Sequence, residues 1–283
     1  MSTAILLIFS PDQKGITASV TNFIYQNNGN IEHADQHIDS NSNIFFMRIE
    51  WSLKGFSLSR SQLKTVFKPL ADKFSMDWSL HFSDKKERVA IFVSNKYHCL
   101  YELLYKHKQG YLNCEISLIV SNHKQARPIA DYFKIPFHYF PKKINNREKI
   151  EDKEISLLKR EKIDLVVLAR YMQVFSKKFV DNFKNKIINI HHSFLPAFAG
   201  KNPYQKAHRR GVKIIGATSH YITEKLDNGP IIEQDTTGIS HRNSLKDLIG
   251  KSQDLEKVIL SRAVRLHLDK KILTYQNKTV IFD

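Results

Sequence analysis

Two rhythms of apolar and polar positions divide this chain. Residues 3–82 run strand, helix, strand, strand, helix, strand. The apolar run TAILLIF predicts the first strand, and SPDQKG, with Pro11 and Gly15, breaks it. ITASVTNFIYQ then places Ile16, Val20, Phe23 and Ile24 at helical spacing, and Gly29 ends that helix. NIEHADQHID and NIFFMRIEW predict two strands around the polar SNSN turn. SRSQLKTVFKPLADKF predicts a second helix, which Pro69 kinks or ends, and MDWSLHF closes the unit. That order implies an α+β sandwich, an antiparallel sheet with two helices on one face.

The charged stretch SDKKER (83–88) has no apolar residue and predicts a boundary: a first domain over 1–83, a linker over 84–87 and a second domain over 88–283. Beyond it, strands alternate with helices. RVAIFV, EISLIVS, PFHYF, DLVVLA and KIINIH are apolar or nearly so, and polar-faced helical segments separate them. Such strands belong in a mostly parallel sheet covered on both faces. Sites in these sheets lie outside the strand carboxyl ends. GVKIIGATSHYITEKLDNGPIIEQD (211–235) then reads strand, polar loop, strand. SLKDLIGKSQDLEKVILSRAVRLHLDKK predicts a long amphipathic helix, and ILTYQNKTVIF a terminal hairpin around Gln276–Lys278.

Bulk composition narrows the class without changing that picture. Of 283 residues 42% are hydrophobic and 25% charged, the balance of a soluble globular protein. No apolar run reaches the ~18 residues of a membrane span. The opening residues lack the basic region and cleavage site of a signal peptide, and read as a strand. Cys99 and Cys114 make no disulfide framework, so a reducing, cytoplasmic compartment is expected. The net charge of +16 raises nucleic acid as a partner. Yet lysine is spread along the whole chain, with no aromatic RNA-binding pattern and no zinc-finger spacing. A solvated basic surface is the simpler account, and it also suits an anionic small substrate.

The candidate chemistry starts where KIINIH runs out, in INIHHSFLP (188–196). Residues two apart on a strand share a face, so Asn189 and His191 project together while Ile188 and Ile190 enter the opposite layer. His192 should face away or begin the loop. Taken singly, Asn189 reads as a strand-end cap and His191 as a core histidine; together at a strand end they form a candidate site. His220 lies near the end of a later strand, and Asp227 sits in an LDNGP turn. That turn is either an ordinary Asx turn or a means of aiming a carboxylate at His191. A metal site is not expected, because HxH and HxxxH spacings are absent around the motif and both cysteines lie far from it in sequence.

The segments NIHHSFLPAFAG and GATSHYITEKLDNGPIIEQD resemble the folate-dependent formyltransferases. The shared pattern is Asn-x-His, followed by His and Asp seven residues apart in a Leu-Asp-x-Gly-Pro turn. The resemblance implies a formyltransferase (Rossmann-like) fold with Asn189, His191 and Asp227 as the catalytic group. It also implies Met172, Gln173, Val174, His220 and Gly200 as substrate-binding residues, and no metal or separate cofactor. SPDQKGI, NGNIEHADQHID and FFMR resemble an ACT (ferredoxin-like) domain. An ACT domain before this catalytic domain is the arrangement of formyltetrahydrofolate deformylases, and HCL (98–100) and LARYMQVFS (168–176) extend the likeness over essentially the whole chain. The reaction this resemblance implies is hydrolysis of 10-formyltetrahydrofolate to formate and tetrahydrofolate, feeding formate to purine synthesis. The ACT unit implies an amino-acid effector at 11–16 and 28–36 and a homo-oligomer, or else a purely structural role.

Two alternatives stay open: formyl transfer to an amine, and a catalytically inactive folate or amino-acid sensor. Transfer to a ribonucleotide amine calls for a phosphate cradle, ordinarily a Gly-rich turn after the first parallel strand. Here that turn reads VSNKYHCLYEL, with no glycine from Val93 to Gln109, so water is the expected acceptor. His192 stands where glycinamide ribonucleotide transformylases have proline, and Gln173 where they have an arginine near the pterin. The complete Asn–His–Asp set argues against an inactive sensor.

Overall fold

The computed structural model describes residues 2–142, 146–196 and 203–282, and the chain forms two compact units. The first contains β1 (Thr3–Pro11), α1 (Ile16–Gln26), β2 (Asn30–Asp39), β3 (Ile44–Ser52), α2 (Arg60–Lys73) and β4 (Asp77–Phe82). Its strands lie in the order β2-β3-β1-β4, and each pairing is antiparallel. Ile16, Val20 and Ile24 of α1 and Leu63, Phe67 and Ala71 of α2 supply one buried stripe each. They pack in one core with Leu6, Ile8, Met47, Ile49 and Trp51. The helix α2 does not end at Pro69 but runs to Lys73. Proline removes one helical amide, while Phe67 and Ala71 hold the segment to the core on either side of it.

The second unit carries β5 (Glu87–Val93), α3 (His98–Lys108), β6 (Cys114–Ser121), α4 (Arg127–Tyr132), β7 (Phe137–Tyr139), α5 (Arg147–Arg160), β8 (Leu165–Ala169), α6 (Lys177–Asn182), β9 (Ile187–His191), α7 (Pro203–Arg210), β10 (Ile214–Tyr221), β11 (Ile231–Gly238) and α8 (Leu245–Leu268). The sheet order is β11-β10-β9-β8-β5-β6-β7. Pairings from β7 to β9 are parallel, and β10 and β11 add antiparallel strands at one side. From β5 the chain builds outward through β6 and β7, then returns to build the other way from β8. A crevice therefore opens between the carboxyl ends of β5 and β8, the place where such sheets take ligands.

The division between units falls between Lys86 and Glu87, and Glu87, read from sequence as linker, already belongs to β5. The terminal hairpin, β12 (Ile272–Tyr275) and β13 (Lys278–Ile281), forms as expected. However, Asp269–Leu273 and Val280–Asp283 cluster with the first unit, so the second is not continuous to the end of the chain. A buried cation explains part of this. Arg48 of β3 donates through Nε to the Lys270 carbonyl at 3.0 Å and through Nη2 to the Asp269 carbonyl at 3.3 Å. Among the described residues, no helix is long and apolar enough to cross a membrane.

Candidate active site

Asn189 and His191 leave β9 on one face, and β10 runs antiparallel beside them with His220 opposite Asn189 and Thr218 opposite His191. The loop after β9 is pinned from below. The Thr218 hydroxyl donates to the Ser193 carbonyl at 2.9 Å and accepts from the Leu195 amide at 3.0 Å. Asp227 comes from the turn after β10, in a left-handed conformation with φ 53°. Gly229 makes that turn possible. A Cβ there would lie 1.7 Å from the Tyr221 carbonyl oxygen, so no other residue fits without moving the backbone.

The three side chains converge. His191 Nδ1 lies 3.3 Å from Asp227 Oδ1, and His220 Nε2 lies 3.9 Å from the same oxygen. The hydrogen bond from His191 holds the Asp227 carboxyl below the usual carboxylate range, against partial burial that pushes it up. His191 Nε2 is buried and has no hydrogen-bond partner among the described residues. His220 acts on Asn189. Its Nδ1 lies 2.9 Å from the Tyr221 carbonyl, which can only accept, so Nδ1 carries a proton. Burial disfavours the charged ring and pulls its pKa down. Nε2 is then an acceptor, and it takes one Nδ2 hydrogen of Asn189 at 3.3 Å. This fixes the amide orientation and leaves its second N–H for a ligand.

These groups line a cavity of about 590 Å³ together with Met172, Gln173, Val174, His192, Tyr204 and Arg170, a size suited to a small-molecule site. Met172 and Val174 are half exposed at its wall. Gly200 lies outside the described residues. His192 does not face away, because β9 ends at His191 and the chain turns there. Its ring centroid is 5.1 Å from that of His191 and 5.4 Å from that of Tyr204. Burial, then the charges of Arg170 and His191, pull the His192 pKa down to about 4, so it is neutral at pH 7.

Ser94 is buried, and its hydroxyl donates to Asn122 Oδ1 at 2.8 Å and accepts from the Met172 amide at 3.0 Å. Beside it lies a cluster the sequence reading missed. Glu256 of α8 is fully buried and accepts from His98 Nε2 at 2.8 Å, Tyr204 at 2.6 Å and Ser252 at 3.1 Å. Burial pushes the Glu256 carboxyl up, but those bonds and the charge of Arg170 outweigh it and hold it below the usual range. Its signal was its place in α8: Ser252, Glu256 and Leu260, four apart, are all buried on one stripe. His98, Cys99 and Glu256 bring three potential metal donors within 4.8 Å, a grouping that the spacing around the histidine motif did not suggest. Arg170 already supplies a cation to that carboxylate, and burial pushes the Cys99 thiol up, away from the thiolate a metal needs.

Comparison with known proteins covers both units. The family model described as formyl transferase matches residues 87–264, and that of the ACT domain residues 4–72. A formyltetrahydrofolate deformylase of Synechocystis is 54% identical over 280 residues, covering 99% of this chain and 98% of the relative. The crystal structure of a formyltetrahydrofolate deformylase from Pseudomonas syringae superposes with a TM-score of 0.98 at 41% identity, over 100% of this chain and 95% of that one. A phosphoribosylglycinamide formyltransferase from Anaplasma phagocytophilum superposes with a TM-score of 0.63 at 32% identity, over 70% of this chain and 95% of its own.

Proposed function

Since the chain belongs to the formyltetrahydrofolate deformylase family, an ACT domain joined to a formyl transferase domain, we propose that Asn189, His191 and Asp227 hydrolyse 10-formyltetrahydrofolate to formate and tetrahydrofolate. The observation that carries this assignment is the convergence of the three side chains on one cavity, with His191 Nε2 left without a partner among the described residues. The formyl group on the folate nitrogen is an amide, so attack at its carbon makes a tetrahedral oxyanion. The spare N–H of Asn189 donates to that oxygen, a bond worth about 10²–10³ in rate. Asp227 occupies Nδ1 of His191, so Nε2 exchanges protons with the reactants. Nε2 takes a proton from water as the C–O bond forms, and Asp227 stabilises the imidazolium. The same proton then goes to the folate nitrogen as the C–N bond breaks.

Met172, Gln173 and Val174 offer the wall on which the folate ring lies. For the ACT unit we propose an amino-acid effector held between copies of the chain near 11–16 and 28–36. Supporting this, β2 is an edge strand of its sheet, and an edge offers unpaired backbone groups to a second copy. Cys99 and Cys114 are buried and not joined in a disulfide, which fits a reducing cytoplasm.

The test is incubation with 10-formyltetrahydrofolate and no amine. Formate should appear at a steady rate. Millimolar glycinamide ribonucleotide should leave that rate unchanged and remain unformylated. Comparable yields of formylated amine would replace hydrolysis by transfer.

A further inference from the structure

The segment from Tyr171 to Ser176 joins β8 to α6 without regular structure. Its side chains divide by burial. Tyr171 and Phe175 sit in the apolar core with Phe92 and Phe179, whereas Met172 and Val174 between them are half exposed at the cavity wall. Two buried carboxylates of α5 hold this segment at its two ends. Tyr171 donates its hydroxyl to Glu154 Oε1 at 3.2 Å, and the Ser176 amide donates to Glu151 Oε2 at 3.2 Å. Lys142, its side chain only 2% exposed, closes the group: Nζ lies 2.9 Å from Glu154 Oε2 and 3.8 Å from Glu151 Oε1. The same ammonium is 4.4 Å from the Phe175 ring centroid and 5.4 Å from that of Tyr171. Burial pushes the Glu154 carboxyl up, and the charge of Lys142 is the chief influence against it.

Charges in a core are costly, and apolar side chains of similar size can seal such a core as well. What apolar side chains cannot do is accept the Tyr171 hydroxyl and the Ser176 amide. We infer that Lys142, Glu151 and Glu154 are positioning residues for folate binding, a buried charge brace that fixes both ends of the segment and so sets the stance of Met172, Gln173 and Val174. This rests on the reading of those three residues as the wall for the folate ring. Directed bonds hold an irregular segment to one geometry, and a wall ordered in advance spares the ligand the cost of ordering it. Lys142, Glu151 and Glu154 do not line the cavity themselves. Their effect therefore reaches the ligand through the segment and falls on affinity, not on the chemical step.

The experiment compares the intact wild type with Glu154→Gln, Tyr171→Phe, the double variant and Met172→Ala. Affinity is read by calorimetric titration with tetrahydrofolate, which needs no turnover, and kcat by formate release at saturating 10-formyltetrahydrofolate. E154Q should weaken tetrahydrofolate binding by about tenfold, the order of one hydrogen bond to a charged group, with kcat within about twofold. Y171F removes only the hydroxyl that reaches Glu154 and should weaken binding by about threefold; it carries the test if E154Q does not fold. The double variant should bind no more weakly than E154Q, because the hydroxyl acts through that carboxylate. M172A removes part of the wall itself and should weaken binding with the brace intact. A lower melting temperature in folded E154Q or Y171F at unchanged affinity would reduce the cluster to a structural role and overturn the inference. A lower kcat at unchanged affinity, or losses that add in the double variant, would overturn it as well. Unchanged affinity in M172A would instead remove the wall reading, and the inference with it.

Discussion

Asp227 and Glu256 are two carboxylates of one unit, both beside histidines, but Asp227 lines the cavity while Glu256 is fully buried and does not, and they are built for opposite ends. Asp227 sits on a turn, partly exposed, with His191 at 3.3 Å and His220 at 3.9 Å. Its partner keeps a nitrogen unclaimed by any described residue. Glu256 sits mid-helix, with His98, Tyr204, Ser252 and Arg170 around it and no exposed surface. A charge does chemistry where its network is left incomplete. A network that closes on itself fixes shape, and Glu256 leaves only Arg170 with donors to spare.

The sharpest way to break this contrast is to remove each charge while keeping its shape. Asp227→Asn should lower turnover by about 10²–10⁴, as loss of an acid–base partner does. Folate binding should stay within a few-fold and the melting temperature should be nearly unchanged. Near-wild-type turnover would take Asp227 out of the mechanism. Glu256→Gln should do the reverse in thermal melts. Leaving Arg170 as an uncompensated buried charge costs about 3–5 kcal/mol, or a fall of about 10 °C in melting temperature. A melt indistinguishable from wild type would show that the cluster is not locked.

A third test moves Asp227 without altering it. Gly229→Ala forces a Cβ against the Tyr221 carbonyl, so the turn must shift. Since a displacement of about 1 Å at a reacting group can cost about 10²-fold, turnover should fall by that order while folate KM changes little. Equal activity in G229A would mean that the position of Asp227 is not critical. The smallest effect concerns His192. Its folded pKa, about 4, lies below the ordinary 6.5, so between those values the unfolded chain binds a proton that the folded one does not. Stability is therefore full above pH 6.5, declines as pH falls toward 4, and flattens below. In His192→Gln the decline across that window should be shallower by up to about one proton, measured by chemical denaturation at successive pH values. Parallel curves would show that His192 is not held neutral by its surroundings.

Much of the molecule was readable from the order of residues. Period-two and helical patterns are local, so the two rhythms, the strand–helix alternation and the terminal hairpin came from sequence alone. So did the pairing of Asn189 with His191, because two residues along a strand always share a face. The LDNGP turn was legible because glycine and proline restrict the backbone directly. Sequence could not supply any contact whose partners lie far apart in the chain. Glu256 reads as one more polar residue of an amphipathic helix until folding brings it to His98, 158 positions away. Arg170 reads as a loop residue until β8 and β5 meet as neighbours. His192 was expected to face away or to begin the loop, and only the end of β9 at His191 decides for the loop. The return of Asp269–Leu273 to the first unit is of the same kind. Local patterns decide elements and faces, whereas which charges share a cavity depends on sheet order, which no short window of sequence contains.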